Sequence, residues 1–120
     1  MSQSRDSKID NIEFNVASIE RSKAFYGEAF GWSFVDYGPS YTEFGDGRLT
    51  GGFTTGEPVQ PGGPLVILYS TDLEESQRKL VSAGARISRE IFSFPGGRRF
   101  HFTDPDGYEL AVWSTDIPEV

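Results

Sequence analysis

The chain carries the same order of elements twice, and this internal repeat restricts its fold more than any other feature. Residues 18–29, SIERSKAFYGEA, align with residues 72–83, DLEESQRKLVSA. A strand-like run precedes each stretch, and several short runs separated by Gly, Pro and Asp follow it. Few aligned residues are identical, so the repeat lies in the order of elements. We predict an α+β fold in which a βαβββ module occurs twice within one domain of 120 residues.

The first module is predicted over about residues 9–54. The run IDNIEFNV alternates apolar and polar residues, which indicates a half-buried strand. Ser18 is a suitable N-cap for the following helix, and Gly31 is a suitable residue to end it. Three further strands are separated by turn residues, and these are predicted near 32–37, 41–45 and 48–54.

The second module is predicted over about residues 65–114, after a linker at 55–64. It begins with the apolar strand LVILYS. Asp72 is the expected N-cap, and Glu75 lies three residues later, which is the spacing of a capping box. The helix is expected to run to Gly84. The remaining strands are predicted near 86–92, 98–103 and 108–114.

Composition excludes several classes of function. The chain has no cysteine, which excludes disulfides, thiolate metal sites and a cysteine nucleophile. The net charge is −7 and the longest basic cluster is Arg98–Arg99, so we expect no nucleic-acid partner. The start, MSQSRDSKID, lacks the apolar run of a secretory signal, and no stretch is long and apolar enough to span a membrane. We therefore expect a cytoplasmic protein that does not associate with a membrane.

The DPDG run at residues 104–107 is predicted to be a turn and not a catalytic motif. Proline restricts φ and glycine tolerates positive φ, which together favour a compact reversal of the chain. The run lacks the remaining ligands of a calcium loop. The chain also contains neither a GxSxG nor a GxGxxG pattern.

Two motifs carry a family resemblance. They are NVASIERSKAFYGEAFGW at 15–32 and FTDPDGYELAVW at 102–113. With them the chain resembles, over about residues 9–114, the vicinal oxygen chelate superfamily, which includes glyoxalase I, bleomycin-resistance proteins and extradiol dioxygenases. The resemblance implies two βαβββ modules whose sheets curl into a cupped cavity, and a homodimer as the usual assembly.

The resemblance also identifies the positions at which metal-using members hold an ion. These members use one residue near the start of each module's first strand and one on each module's last strand. The corresponding residues here are Asn11, Leu65, Gly51 and Ala111. Only Asn11 offers a ligand atom, so the usual metal site is expected to be missing. A single histidine in the chain also argues against the two-histidine iron site of an extradiol dioxygenase.

Strand alternation predicts the other residues of the cavity. Residues two apart on a strand share a face, so each metal position has neighbours on the same side. The expected polar and aromatic lining is Asn11, Glu13, Asn15, Tyr69, Glu109 and Trp113. On the strand near 98–103, the two phenylalanines should face the helix, which leaves Arg99 and His101 for the cavity.

Several of these residues have more than one interpretation. His101 could exchange protons near neutral pH, although a lone histidine on a strand is more often structural. Glu13 and Glu109 could serve as a general base, or lie on a solvated face. The three together could also form a nitrogen and oxygen site for a divalent metal such as zinc. Arg99 could hold a substrate carboxylate in a two-pronged contact, or pair with one of the two glutamates.

Three hypotheses about function remain open. The first is a protein that binds a small organic molecule in a partly aromatic cavity without a metal or other cofactor, as do the drug-resistance binding proteins of this superfamily. In that case Asn11, Asn15, Tyr69, Arg99 and Trp113 would contact the ligand. The second is a glyoxalase-like lyase or isomerase acting by proton transfer, with Glu13 or Glu109 as base and His101 as acid. The third is a purely structural or partner-binding dimer whose cavity is filled.

Overall fold

The structure is a computed structural model that describes residues 5–115. The first four residues, which belong to the stretch tested for a secretory signal, lie outside this range. The chain divides into two units between Val59 and Gln60, within the segment predicted to be a linker. Each unit contains one helix and one four-stranded mixed sheet. The predicted α+β fold with its repeated βαβββ order is therefore confirmed.

The first unit forms its sheet in the order β1-β4-β3-β2. β1 runs parallel to β4, and the other neighbours are antiparallel. The elements are β1 (Asn11–Asn15), α1 (Ile19–Phe30), β2 (Ser33–Asp36), β3 (Tyr41–Gly45) and β4 (Thr50–Thr54).

The ends of α1 lie where the capping residues predicted them. The Ser18 hydroxyl accepts a hydrogen bond from the Arg21 N–H, and Gly31 adopts a left-handed conformation with φ of 74°. Tyr26 on the buried side of α1 stacks on Phe53 of β4 with ring centroids 5.4 Å apart. The face of the sheet that carries Phe53 is therefore packed against the helix.

The second unit forms its sheet in the order β5-β8-β7-β6, with β5 parallel to β8 and antiparallel pairing elsewhere. The elements are β5 (Val66–Tyr69), α2 (Leu73–Ser82), β6 (Arg86–Phe94), β7 (Gly97–Thr103) and β8 (Glu109–Thr115). Alternate residues of β7 and β8 are almost fully buried together with the apolar side of α2, and these are Leu73, Leu80, Phe100, Phe102, Leu110 and Val112.

The start of α2 corrects one prediction. The Asp72 side chain caps the helix by accepting the Glu75 N–H at 3.1 Å. The second hydrogen bond of a capping box, from the Asp72 N–H to the Glu75 side chain, is absent. The Asp72 N–H donates instead to the Ser70 hydroxyl at 3.0 Å, and the Glu75 carboxylate pairs with Arg78. The helix also ends at Ser82, before Gly84, because Ala83 serves as its C-cap.

Each sheet has a second side that faces away from its own helix, here called the helix-distal face. In the first unit this face carries Asn11, Glu13, Asn15, Tyr41, Glu43 and Gly52, since these residues pair across the strands. In the second unit it carries Ile67, Tyr69, Arg99, His101, Glu109, Ala111 and Trp113. Most of the predicted site residues lie on these two faces.

The register of β4 shows that the repeat alignment was wrong by one residue. Gly51 pairs with Ile12, and a Cβ added there would overlap the Phe44 ring on the helix side. The reason is the length of the preceding turn. Asp46 closes its turn by donating to the Leu49 carbonyl, three residues on, whereas Asp104 donates to the Tyr108 carbonyl, four residues on.

The structural counterpart of Asp46 is therefore Asp104 and not Asp106. Both side chains accept two backbone N–H groups of their own turn. Because the second turn has one extra residue, each position on β8 corresponds to a position on β4 one residue later than the alignment gave. Ala111 therefore corresponds to Gly52. The metal position in the first module is Gly52, which offers no ligand atom either.

Candidate functional site

The second helix-distal face brings five of the predicted site residues together. Arg99 lies directly across from Trp113, and Tyr69 lies on the other side of Trp113 in the neighbouring strand. His101 is two residues further along β7 and lies beside Glu109. One face of one sheet therefore presents guanidinium, aromatic, imidazole and carboxylate side chains.

The other three predicted residues lie on β1 in the first unit. Asn11, Glu13 and Asn15 share the helix-distal face of that strand, as alternation predicted. Glu13 accepts a hydrogen bond from the Tyr41 hydroxyl at 3.2 Å. Burial raises the pKa of Tyr41, and the bond to Glu13 raises that pKa further.

Gly52 makes the contact between Tyr41 and Glu13 possible. A Cβ at position 52 would overlap the Tyr41 hydroxyl, so only glycine lets the ring lie across the strand. Tyr41 was not among the site residues predicted from the sequence. The signal was available, because an aromatic residue opposite a strand glycine often covers the space that the glycine leaves.

His101 and Glu109 form a hydrogen-bonded pair. The His101 Nδ1 atom lies 2.9 Å from the Glu109 Oε2 atom, and the Ser88 hydroxyl donates to the same oxygen at 3.2 Å. The hydrogen bond from His101 lowers the pKa of Glu109, and the bond from Ser88 acts in the same direction. Because an ionised carboxylate can only accept, the proton of this contact lies on Nδ1.

This pairing bears on which of the two residues is better suited to act as a base. A raised pKa favours a carboxylate as general base near neutral pH, and the contacts of Glu109 lower its pKa instead. The geometry is that of a carboxylate that orients an imidazole. His101 is then the residue of the pair with a nitrogen left for a ligand.

The second nitrogen of His101 is buried and has no partner. The side chain is only 9% exposed, and its Nε2 atom makes no hydrogen bond to any residue of the described chain. His101 and Glu109 line a recess of about 410 Å³. Its other walls come from the start of the second unit and the DPDG turn, and they are Pro61, Gly62, Gly63, Pro64, Leu65 and Gly107.

The wall of this recess is attached to the turn. The Gln60 N–H donates to the Tyr108 hydroxyl at 3.3 Å, and Pro61 lies against Gly107. Gly107 has a φ of 92°, which favours glycine at this point of the turn. The DPDG run therefore acts as structure, as predicted, and it also helps to shape the recess.

Arg99 makes no ion pair with a described residue, so the alternative in which it pairs with Glu109 of the same unit is not observed. Its guanidinium carbon lies 5.5 Å from the ring centroid of Phe92 and 5.7 Å from that of Phe94. Its Nε atom is buried without a hydrogen-bond partner among residues 5–115. Aromatic faces, and not a carboxylate, thus surround this cation.

Four aromatic side chains form what we call the aromatic cluster, which consists of Tyr69, Phe92, Phe94 and Trp113. Tyr69 meets Trp113 edge to face at 5.1 Å, and Phe94 lies 6.3 Å from Trp113 between ring centroids. Tyr69 is 50% exposed, so the cluster is open at one side. Sequence analysis missed Phe92 and Phe94.

The residues at the superfamily's metal positions do not fit a metal ion. Leu65, Ala111 and Gly52 carry no donor atom, and Asn11 offers only a neutral amide. In the described part of the chain, no three histidine or acidic side chains lie close enough together to hold a metal. Within the second unit, His101 and Glu109 thus have no third such side chain beside them among residues 60–115.

No helix among the described residues has both the length and the apolar character that crossing a bilayer requires.

Comparisons with known proteins agree with this geometry. The model of the Glyoxalase/Bleomycin resistance protein/Dioxygenase superfamily matches residues 8–112. A comparison with curated proteins finds no match. Among solved structures, a glyoxalase-related enzyme from Fulvimarina pelagi superposes with a TM-score of 0.79 at 22% identity, covering 95% of this chain and 92% of that one.

Two further structures share the fold. A glyoxalase/bleomycin resistance protein/dioxygenase family enzyme from Burkholderia phytofirmans PsJN has a TM-score of 0.78 at 14% identity, covering 89% of this chain and 99% of its own. TioX from Micromonospora sp. ML1 has a TM-score of 0.73 at 21% identity, with 88% and 97% covered. The chain therefore belongs to the Glyoxalase/Bleomycin resistance protein/Dioxygenase superfamily.

Proposed function

We propose that this protein binds a small organic molecule against the helix-distal face of its second sheet. The supporting observation is a pair of buried nitrogens without partners, Arg99 Nε and His101 Nε2, next to the aromatic cluster. A buried polar group that lacks a hydrogen bond costs about 1–3 kcal/mol. A ligand that supplies the missing partners would offset this cost, and an open aromatic surface would take its apolar part.

We further propose that binding needs no metal. The four superfamily positions contain Asn11, Gly52, Leu65 and Ala111, whereas zinc requires three or four histidine, cysteine or carboxylate ligands. A metal-free site would rely on hydrogen bonds and aromatic contacts alone. We also propose a cytoplasmic homodimer, as the superfamily resemblance and the cysteine-free composition suggest.

A thermal-shift screen of aromatic small molecules, with zinc and with a chelator, tests this proposal. A ligand at 100 times its dissociation constant stabilises the folded state by about 2.7 kcal/mol, which raises the melting temperature by several degrees. The shift should be the same with zinc and with the chelator. A hit that works only with added metal would contradict the metal-free part.

The two tryptophans allow the site to be located. In W32F the remaining Trp113 reports on the aromatic cluster, and in W113F the remaining Trp32 reports on the core of the first unit, where it stacks on Tyr26 at 4.7 Å. A ligand at the proposed site should quench Trp113 and leave Trp32 unchanged. Equal quenching of both, or of Trp32 alone, would place the ligand elsewhere.

The pairing of His101 with Glu109 favours a second candidate, an enzyme that moves a proton. With Glu109 fixing the Nδ1 proton, the Nε2 atom of His101 is the one that would take a proton from a bound substrate. This assignment reverses the roles expected from the sequence, because the contacts of Glu109 lower its pKa. A glyoxalase-like lyase or isomerase is the class that uses such a transfer.

Deuterium exchange distinguishes the enzyme from the binder. A ligand found in the screen that carries a carbonyl group is incubated with the protein in D₂O, and loss of its α-proton signal is followed by NMR. An enzyme gives exchange that H101A abolishes and E109Q slows about 10²–10⁴-fold. A binder stabilises the protein and shows no exchange above the rate in buffer.

A further inference from the structure

Arg99 is a half-buried cation without an acidic partner among the described residues, in a chain that has an excess of acids. The chain carries 18 acidic and 11 basic side chains, and the neighbouring Arg98 pairs with Glu74 at 2.7 Å. Arg99 has neither an ion pair nor a hydrogen bond to any residue of the described range, and its Nε is buried. Even partial burial of an arginine is costly when its buried N–H has no hydrogen-bond partner.

The local charge indicates what that partner would be. The charged side chains on this face are Arg86, Arg89, Arg99 and Glu109, since Arg86 and Arg89 pair across the strands with Thr103 and His101. Their formal sum is two positive charges, in contrast to the chain as a whole. A negatively charged ligand would offset part of this excess, and a carboxylate matches the flat, two-pronged donor edge of a guanidinium.

The surroundings of Arg99 indicate the rest of the ligand. Phe92 and Phe94 lie beside the guanidinium, and Trp113 is its neighbour across the strands. Beyond Trp113 lies Tyr69, which is half exposed. A flat ring attached to the carboxylate would contact the aromatic cluster between Arg99 and Tyr69, in the offset or edge-on geometry that such rings favour.

We propose that the helix-distal face of the second sheet takes a planar aromatic monocarboxylate, whose carboxylate pairs with the Arg99 guanidinium while its ring lies against the aromatic cluster. This inference rests on the proposed small-molecule binding and adds the charge and shape of the ligand. His101 lies two residues along the same strand face, about 7 Å away, where its Nε2 offers a second polar contact to a substituent on the ring.

Three matched probes test the charge requirement. They are 2-naphthoate, its neutral isostere 2-naphthamide and the cation 2-naphthylmethylammonium. Dissociation constants are measured by calorimetry, and the site is identified from the Trp113 indole signal in NMR spectra, with Trp32 as internal reference. We expect 2-naphthoate to bind at least about tenfold more tightly than 2-naphthamide, because charge-assisted hydrogen bonds are worth more than neutral ones. The cation should bind most weakly.

Variants of two adjacent arginines identify the residue responsible. R99M should weaken 2-naphthoate binding about tenfold to a hundredfold and change 2-naphthamide binding less than twofold. R99K keeps the positive charge but lacks the two-pronged guanidinium, so its affinity for 2-naphthoate should lie between those of wild type and R99M. R98M is the matched control, because Arg98 pairs with Glu74, and it should leave 2-naphthoate binding unchanged.

The outcomes separate this inference from the proposed function. If all three probes shift Trp113 with similar affinity, or if R99M weakens all three equally, the face binds small molecules and the monocarboxylate inference is wrong. If none shifts Trp113 at 10 mM, the inference fails as well, and a negative library screen would then remove the proposed function too. Preference for 2-naphthoate that R99M abolishes and R98M preserves supports the inference.

Discussion

Removing the carboxylate of Asp104 should destabilise the protein far more than removing that of its counterpart Asp46. The Asp104 side chain accepts the N–H groups of Asp106 and Tyr108 at 2.9 and 3.0 Å, and the residue is only 7% exposed. The Asp46 side chain accepts two N–H groups in the same way, from Arg48 and Leu49, but it is exposed. The two carboxylates thus make equivalent hydrogen bonds within their turns, but one is buried and the other is exposed.

The difference in burial sets the expected magnitudes. In D104A, water cannot readily replace the lost acceptor, and leaving a buried N–H unsatisfied costs about 1–3 kcal/mol. The bond to Tyr108 is buried and that to Asp106 only part-buried, so the loss should be about 2–4 kcal/mol, towards the lower end of the roughly 2–6 kcal/mol expected for two fully buried groups. In D46A, water can reach the freed N–H groups, so the loss should be about 0.5–1 kcal/mol. D104N keeps an acceptor oxygen without the charge and should cost about 1 kcal/mol.

Urea unfolding measures these losses, and the tryptophans report the two units separately. D104A is compared with wild type in the W32F background through Trp113, and D46A in the W113F background through Trp32. Midpoints and slopes give the free energies of unfolding. If D46A and D104A lose the same stability within about 0.5 kcal/mol, burial of the second turn does not determine the cost of losing its carboxylate. A loss in D104N as large as in D104A would likewise contradict the role given to the acceptor.

Three other predictions follow from particular contacts. The lowered pKa of Glu109 means that its ionised form favours the folded state, a contribution present above the ordinary value of 4.5 and lost as pH falls through the folded-state pKa. The stability gap between wild type and E109Q in urea unfolding should therefore shrink below pH 4.5, and a gap that widens on acidification would disprove this. G97A should destabilise the protein more than G52A in thermal melts, because a Cβ at 97 meets the backbone oxygen of Ser114 while one at 52 meets the end of the Tyr41 side chain. G52A should also bring the pKa of Tyr41 back towards 10.0 in a ¹³C NMR titration, unlike G97A. Light scattering should give a mass near twice 13.3 kDa if the homodimer forms, and a mass of 13.3 kDa would exclude it.

Strand alternation predicted the faces of β7 and β8 because a strand has a fixed period of two. Phe100 and Phe102 are fully buried on the helix side, which leaves Arg99 and His101 on the other side. Capping chemistry predicted both helix starts for a similar reason, since the interaction of Ser18 or Asp72 involves only its own turn. Features that depend on a few neighbouring residues can be derived from the sequence.

Features that depend on the exact number of residues in a turn cannot be derived so directly from the sequence. The two aspartate turns look alike in sequence, yet the second is one residue longer, and this difference moved the expected metal position from Gly52 to Gly51. Only one of the two hydrogen bonds of the capping box between Asp72 and Glu75 forms, because the Ser70 hydroxyl accepts the Asp72 N–H. In both cases the sequence pattern was present, but the length of a turn or a competing hydrogen bond determined the structure that formed.

The aromatic cluster shows why the site residues of β6 were not predicted although the strand itself was. Arg89 pairs with His101 and Phe92 pairs with Arg99, so both lie on the helix-distal face although they are three residues apart. A regular strand would place residues three apart on opposite faces. The register shifts between Ile87 and Arg89 and again before Phe92 make the difference, because a bulge lets an extra residue pass without a partner. Phe92 lies 5.5 Å from the Arg99 guanidinium, and the Arg89 guanidinium lies 3.7 Å from the same ring, because the strand is irregular there. Irregular strands of this kind occur preferentially next to functional sites, where they redirect a side chain, and this irregularity gives Arg99 an aromatic neighbour in place of an acidic one.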